Sequence, residues 1–387
     1  RLHELAAHYL RQMSSAEQAK GQVQKAFQGA KAETCTSKLL AWAAEQFGKL
    51  TVINVLLPFC KFYFSLKPLK NSQRRAGVLN GFKNFAEKRG VMWRDDAKAL
   101  ESRGIDVWED ERKAATNPAV VTPAYYEAHG VGTLHSYDAG NSCWPAAFDA
   151  PSAYLLVHLH HYPTLTAQQS FDQIHEDMHG PGLRRLAGAP GGLRCLDIGC
   201  GVGTSTFALQ TSLIKLGRPD ASVHGVDLST HFVTVANYRA NEAPAAPKVS
   251  FAHADGTDLS SAMMADGSTG AANGSFDYVT VSEVTHELPQ HVTRKLLAEA
   301  ARVLRPGGVL AYLDLNPTQA LRDNTVEALT ERIALQNEPY YHEYLAFDME
   351  EGMRAAGFTD VVGSWVNPAK NKTAIDSSLR IIVATKA

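Results

Sequence analysis

The sequence of 387 residues contains few cysteines and no long uninterrupted apolar run. Its five cysteines are scattered and odd in number, which argues against a disulfide framework and predicts a reducing intracellular compartment, either the cytosol or the stroma or matrix of an organelle. The most apolar stretch, residues 50–66, contains Pro58 and Lys61 and falls short of the roughly 20 clean residues that a membrane-spanning helix needs. We therefore expect a buried helix pair there, with an interfacial membrane contact as the alternative. Because the sequence begins at Arg1, we expect the natural start to lie upstream.

Two common nucleotide-binding motifs are also absent. An apolar segment, residues 195–198, leads into glycines at alternate positions, Gly199, Gly201 and Gly203. NAD-binding units instead use the spacing G-x-G-x-x-G, and a phosphate loop needs a Gly-Lys-Ser/Thr sequence after its glycines. A helical pattern begins directly afterwards, so the segment predicts a strand, a tight turn and a helix. A nucleotide-like ligand that crossed this turn would meet bare backbone and the N–H groups of the helix start.

Positive charge is concentrated at one end of the chain. Residues 1–94 contain 16 Lys and Arg against 5 Asp and Glu, while residues 95–387 contain 22 against 35. A helical region with a basic, solvated face explains this distribution. Contact of residues 1–94 with an anionic membrane surface or an acidic partner is the alternative.

Four more short apolar segments follow the glycine turn, and acidic residues lie at or near their ends. They are residues 223–227, 249–256, 276–281 and 309–314. With residues 195–198 they give five strands that alternate with helical patterns, which is typical of a doubly wound parallel α/β sheet with its ligand at the carboxyl ends of the strands.

These segments, in this order, resemble the class I S-adenosylmethionine-dependent methyltransferases, particularly the small-molecule branch with quinone- and sterol-type enzymes. The resemblance covers about residues 191–387 and rests on the Asp-x-Gly-x-Gly-x-Gly turn, the strand-end acids and the Arg-Pro-Gly-Gly turn at 305–308. It implies a Rossmann-like seven-stranded sheet whose last strand pair, at 358–366 and 379–385, is antiparallel. It also implies S-adenosyl-L-methionine as the cofactor and a methyltransferase activity.

The resemblance also implies roles for individual residues. Asp197, Gly199 and Gly201 would contact the methionine part of the cofactor, Asp227 the ribose, and Asp255 with Gly256 the adenine edge. The predicted cofactor-binding set also contains Gly203, Leu228 and Ser282.

The catalytic candidates are His286, His135 and Tyr126. His286 follows the fourth strand, where the pocket opens in related enzymes, and a histidine there could serve as a general base near neutral pH. Relatives often have His-His-Leu-Pro at this point, whereas Glu287 follows His286 in this chain. A base and an orienting histidine therefore both remain open interpretations. Tyr341 and His342 are further pocket candidates.

We expect three parts: a helical N-terminal domain at 1–117, a cap or lid with a linker helix at 118–190, and the cofactor-binding domain at 191–387. Residues 118–151 are rich in turn formers and aromatics, which predicts a loop-like lid by resemblance. Residues 258–275 contain the small, polar stretch 266–275, which predicts a loose surface insertion.

Two histidine groups in the middle part could suggest a metal. Residues 175–179 match H-E-x-x-H, but the predicted helix 166–179 ends at Gly180-Pro181-Gly182, which would put His179 at its last position. Strand-like alternation would place His158 and His160 on one side of a strand, as core or pocket lining. We predict no metal site.

The acceptor is expected to be a small organic molecule, methylated on O, C, N or S and enclosed between residues 118–151 and 316–343. The fourth strand is not followed by the (Asp/Asn)-Pro-Pro-(Tyr/Phe) loop of base-methylating enzymes, so no base-specific nucleic acid recognition is expected. The alternatives are a catalytically silent scaffold and an RNA or protein methyltransferase that uses the basic N-terminal region.

Overall fold

The computed structural model describes residues 71–127, 137, 139–159, 161–162, 164–242, 248–317, 339–371 and 377–387. Residues 78–323 and 330–387 belong to one compact unit, which contains every strand found among the described residues. The predicted helices before residue 71, the candidate His135 and most of the 316–343 segment lie outside the described residues.

The helices are α1 (Asn71–Lys88), α2 (Trp93–Glu101), α3 (Ile105–Ala115), α4 (Ala124–Glu127), α5 (Trp144–His158), α6 (Ala167–Arg185), α7 (Thr204–Lys215), α8 (Thr230–Ala240), α9 (Gln290–Val303), α10 (Tyr341–Leu345) and α11 (Met349–Ala355). The strands are β1 (Arg194–Ile198), β2 (Ser222–Asp227), β3 (Lys248–His253), β4 (Phe276–Ser282), β5 (Leu304–Leu315), β6 (Phe358–Trp365) and β7 (Leu379–Lys386). Short 3-10 turns lie at Leu259–Ser261 and Thr285–Glu287.

The seven strands form one sheet in the order β3-β2-β1-β4-β5-β7-β6. Strands β1 to β5 pair in parallel, and β7 pairs antiparallel with both β5 and β6. This is the predicted doubly wound sheet with an antiparallel last pair, and the prediction is confirmed. The order of the strands reverses between β1 and β4, which is where such folds open a crevice at the carboxyl ends of their strands.

Helices cover both faces of the sheet. On one face, Leu296 of α9 and Met353 of α11 pack against the strands. On the other face, Ile174 and Met178 of α6 pack beside Leu213 of α7. Because both faces are covered, the central strands are buried along most of their length rather than on alternate residues.

Helix α6 is longer than the sequence predicts. It begins with a capping box between Thr166 and Gln169 and continues through Gly180-Pro181-Gly182 to Arg185, so the predicted stop is wrong. Tertiary packing explains the continuation. A Cβ at Gly182 would lie 3.0 Å from the Tyr278 ring, so the glycine allows a close approach of the helix to β4.

Helix α5 corrects two further expectations. The expectation that residues 118–151 are loop-like is wrong in two described places, because Ala124–Glu127 is a short helix and Trp144 starts a longer one with a proline in its first turn. His158 is the last residue of this helix, so it does not lie on a strand with His160, which is outside the described residues.

Residues 258–275 are not a loose insertion. Met264 and Ala271 are buried in the core, and the Gly270 N–H donates to the Ala262 carbonyl at 2.8 Å. The segment therefore packs against the sheet. In the described part of the chain, no helix combines the length and the apolarity that crossing a membrane requires.

Candidate functional site

A cavity of about 230 Å³ lies at the carboxyl ends of β1, β2 and β4. Eight of the residues predicted from the sequence line it: Tyr126, Gly199, Gly201, Asp227, Leu228, Asp255, Gly256 and His286. Residues from four separate loops therefore meet at one edge of the sheet.

The glycine turn forms one wall through its backbone. Gly199, Gly201 and Gly203 all have positive φ angles, of 76°, 54° and 83°. A Cβ at Gly199 would lie 2.4 Å from Val284, so a side chain does not fit there. At Gly201 the nearest atom to such a Cβ is the Tyr154 hydroxyl at 3.4 Å, so this glycine presents bare backbone to the cavity.

Asp227 is the last residue of β2, and its carboxylate binds the backbone of the glycine turn. Its Oδ2 accepts the Gly201 N–H at 2.9 Å, and its Oδ1 accepts the Ser229 N–H at 2.8 Å. Shielding from solvent raises the pKa of Asp227 to about 6, although these two N–H donors lower it. A carboxyl in this position can be ionised near neutral pH and accept hydrogen bonds from a ligand.

Asp197 does not line the cavity. It is buried below the start of α7, where its Oδ2 accepts the Ser205 and Thr206 hydroxyls at 2.7 and 2.6 Å. Its Oδ1 has no partner among the described residues, and burial raises the pKa of Asp197 to about 6. Gly203 and Ser282 also lie outside the cavity wall, so direct ligand contact by these three residues stays a prediction.

Asp255 lies just beyond β3 and lines the cavity with Gly256. Its Oδ1 accepts both the N–H and the hydroxyl of Thr257 at 2.8 Å. A Cβ at Gly256 would lie 2.3 Å from Ile198 Cγ2, so this position also needs glycine. Gly256 therefore packs against the end of β1, and the neighbouring Asp255 carboxylate lies in the cavity wall.

His286 is oriented by a residue that was not among those predicted from the sequence. Its Nδ1 lies 2.7 Å from Oδ1 of Asp314, a fully buried carboxylate. Asp314 also accepts hydrogen bonds from the N–H and hydroxyl of Thr285 at 2.9 and 2.8 Å. Because Nδ1–H donates to the carboxylate, a neutral His286 ring has its lone pair on Nε2. The signal for Asp314 was present in the sequence, since the fifth strand also ends in an acid.

Aromatic side chains from the part of the chain before β1 form another wall. They are Phe82, Trp93, Tyr125, Tyr126, Tyr137 and Tyr154. Burial raises the pKa of Tyr126 well above its ordinary value, so this phenol stays protonated near neutral pH and can donate a hydrogen bond. Tyr341 is buried and His342 is exposed, and neither lines the cavity.

Acidic groups dominate the charge of the cavity wall. Asp227, Asp255, Glu283 and Glu287 line it, and the lining residue Asp149 is paired with Lys83 at 2.8 Å. The described lining includes neither lysine nor arginine. Such a wall favours a cationic ligand and disfavours an anionic one.

The H-E-x-x-H segment lies on α6, away from the cavity lining. His175 Nδ1 lies 3.0 Å from the Phe171 carbonyl, and His179 Nδ1 lies 3.0 Å from the Tyr278 hydroxyl. Burial lowers the pKa of His179 to about 3 and that of His175 well below its ordinary value. Both rings are therefore neutral, and the described residues contain no group of three or more potential metal ligands.

Comparison with known proteins extends these observations. Residues 195–308 match a family described as a methyltransferase domain. The chain is 34% identical over 202 residues to the 27-O-demethylrifamycin SV methyltransferase of Amycolatopsis mediterranei, covering 49% of this chain and 65% of that protein. It is 29% identical over 198 residues to the ubiquinone biosynthesis O-methyltransferase of Xanthomonas axonopodis pv. citri, covering 50% of this chain and 74% of that protein.

Other similarities are less extensive. The chain covers 45% of the arsenite methyltransferase of Aquipseudomonas alcaligenes at 33% identity. It thus spans less than two thirds of the first curated relatives it matches. Among solved structures, phosphoethanolamine N-methyltransferase 2 of Haemonchus contortus with S-adenosyl-L-methionine is 21% identical, with 58% of this chain and 59% of that chain covered and a TM-score of 0.36.

Proposed function

We propose, on the premise that this chain contains a class I S-adenosylmethionine-dependent methyltransferase domain, that it transfers a methyl group to a hydroxyl of a small organic acceptor. The observation that carries the proposal is the joint placement of the Gly201 backbone, the Asp227 carboxylate and His286 on one acidic cavity wall. The Xanthomonas relative is named as an O-methyltransferase, and the name of the Amycolatopsis relative, 27-O-demethylrifamycin SV methyltransferase, indicates an oxygen position.

The residues present fit the cofactor. Gly201 offers bare backbone, Asp227 a carboxylate for two ribose hydroxyls, and Asp255 with Gly256 a further polar edge. Bound S-adenosylmethionine supplies an already activated methyl group on a positively charged sulfur. The acidic wall complements that charge, so the chain mainly has to align the acceptor oxygen and exclude water.

His286 is the residue that we assign to proton removal from the acceptor. Asp314 holds the Nδ1 proton, so the Nε2 lone pair would accept the proton that an acceptor hydroxyl loses when the methyl group passes from sulfur to oxygen and S-adenosylhomocysteine is left. The buried carboxylate also stabilises the imidazolium that results. Protonated Tyr126 can help to orient the acceptor by donating a hydrogen bond.

We further assign the acceptor to the uncharged or cationic aromatic molecules. The aromatic wall provides apolar surface for a flat ring, and the excess of carboxylates would repel a phosphate or carboxylate group on the acceptor.

The experiment measures S-adenosylhomocysteine release with a panel of neutral phenols and the same phenols carrying a ring carboxylate. Turnover is expected with neutral phenols and strong discrimination against the carboxylated ones. His286→Asn and Asp314→Asn are both expected to lower kcat by about 10²-fold or more, since a positioned base contributes about that much.

Control measurements separate binding from chemistry. His291→Asn replaces a histidine on α9 that is outside the cavity lining and should leave kcat unchanged. Wild-type protein that folds but does not bind S-adenosylmethionine would contradict the proposal and favour the scaffold alternative. Preference for carboxylated phenols would contradict the acceptor assignment.

Two further parts of the proposal concern the rest of the chain. The charge of residues 1–94 supports contact with an anionic membrane or acidic partner, which sedimentation with anionic and zwitterionic vesicles at low and high salt would test. The unpaired Cys143, Cys195 and Cys200 are compatible with a reducing compartment.

A further inference from the structure

His158, the last residue of α5, is fully buried and contacts the cavity-lining residue Glu283. Its Nδ1 lies 2.5 Å from the Tyr154 carbonyl oxygen, and its Nε2 lies 3.1 Å from Glu283 Oε2. A carbonyl oxygen only accepts hydrogen bonds, so Nδ1 carries a proton. Nε2 and Glu283 Oε2 are close enough for an ion pair, although they are not aligned as a hydrogen bond. A positive charge on the ring is therefore placed directly beside a carboxylate of the cavity wall.

The surroundings of His158 favour the ionised form of this pair. Its ring neighbours are Phe171, at 5.2 Å between centroids, and His175, at 6.0 Å. His175 is neutral because burial lowers its pKa. Burial is the largest single influence and lowers the pKa of His158, but the Glu283 carboxylate and the Tyr154 carbonyl together leave that pKa above its ordinary value. The contacts of the ring therefore favour an imidazolium paired with the Glu283 carboxylate.

The backbone at Glu283 adopts a conformation that needs support. Its φ is 55°, in the left-handed region that side chains disfavour. Its N–H donates to the Leu313 carbonyl at 2.7 Å. The side chain of the next residue, Val284, occupies the space that a side chain at Gly199 would need. The turn at Glu283 therefore supports the glycine turn and leads directly to His286.

We propose that His158 is a positioning residue for the methyl-transfer site: its ion pair with Glu283 holds the left-handed turn that packs on Gly199 and leads to His286. Helix α5 lies outside the matched residues 195–308, so a helix beyond the family domain becomes part of the cofactor site. This inference rests on the proposed function.

The test compares His158→Leu with His179→Leu by calorimetric titration with S-adenosylhomocysteine and by thermal unfolding. His158→Leu leaves a buried carboxylate without its partner, so the affinity is expected to fall by about tenfold or more. His179→Leu removes an equally buried histidine that is bonded to Tyr278 and not to a carboxylate. It should lower the unfolding temperature and keep the affinity within about twofold. Equal affinity losses in both variants would contradict the proposal.

A second variant pair distinguishes positioning from damage to the fold. Glu283→Gly removes the carboxylate and suits the positive φ, so the double variant His158→Leu/Glu283→Gly is expected to recover most of the affinity that His158→Leu loses. A double variant that binds no more tightly than His158→Leu overturns the proposal.

An NMR titration of the His158 imidazole separates this inference from the proposed function. In Glu283→Gln the pKa of His158 should fall, because burial is then no longer opposed by a carboxylate. An unchanged pKa overturns the ion pair whether or not the cofactor binds. A wild-type protein that shows the expected titration but binds no S-adenosylhomocysteine overturns the proposed function, and with it the role assigned to His158.

Discussion

Protonation of Asp227 should control cofactor affinity on the acidic side of neutrality. Its carboxylate lies in the cavity wall, and shielding from solvent raises its pKa to about 6. Both of its oxygens accept backbone N–H groups, from Gly201 and Ser229. In the proposed function the same carboxylate accepts two ribose hydroxyls. A protonated carboxyl has one oxygen that donates instead, so tight binding needs the ionised form.

The size of the effect follows from the pKa. With a pKa of about 6, about nine tenths of Asp227 is ionised at about pH 7 and about one tenth at about pH 5. Affinity for S-adenosylhomocysteine should therefore fall about tenfold over this range. Asp227→Asn should lower the affinity at neutral pH by about 10²-fold, because two charge-assisted hydrogen bonds are lost.

The assay is calorimetric titration with S-adenosylhomocysteine at constant ionic strength across this pH range. The affinity of Asp227→Asn should be independent of pH, since the titrating group has gone. A wild-type affinity that does not change would refute the argument. An equal fall in the variant would assign the titration to another group, of which Asp197 is the first candidate because its pKa is also about 6.

Two further predictions concern stability. The pKa of buried Asp197 is higher in the folded state, at about 6, than its ordinary value of 3.8, so its ionisation destabilises the fold above about pH 6 and not below about pH 4. Asp197→Asn should therefore raise the free energy of unfolding in urea by up to about 3 kcal/mol at neutral pH, with no gain in acid. A gain of the same size at both pH values would contradict this. Gly199→Ala and Gly267→Ala both place a side chain at positive φ, but only the Gly199 variant meets Val284. We expect a loss of about 1 kcal/mol for Gly267→Ala and an additional loss of about 1–3 kcal/mol for Gly199→Ala; equal losses would argue against the close contact.

The cofactor side of the cavity was predictable because its signals are local. Each strand is a short apolar run, and its acid or glycine follows within one to five positions, as with Asp227 and Gly199. Parallel pairing then brings these strand ends to one edge of the sheet, which a single sequence already implies. Asp314 obeys the same rule, and only its pairing with His286 was missed.

The helical side was harder to predict because tertiary packing decides it. Pro181 removes a helix hydrogen bond and is a strong local stop signal, yet the contact of Gly182 with Tyr278 and the burial of Leu183 continue the helix. The contact between His158 and Glu283 joins residues that are far apart in sequence, and no local spacing pattern predicts such a pair. The same holds for the aromatic wall: Phe82 lies on α1, within the predicted helical region 1–117, but no local pattern in the sequence predicts that its side chain lines the cavity.

The two sides of the cavity also differ in how they relate to the methyltransferases that this chain resembles. The glycine turn, Asp227, Asp255 and His286 lie within residues 195–308. The aromatic wall comes instead from α1, α2, α4, α5 and the segment before α5, all outside that match. Under the proposed function, a shared domain therefore explains a shared cofactor, while, apart from His286, the side chains that contact the acceptor belong to a part of the chain that the domain does not determine. The acceptor molecules of the relatives therefore do not identify the acceptor of this protein. Substitutions in the aromatic wall, such as Trp93→Ala, should change acceptor preference more than cofactor affinity.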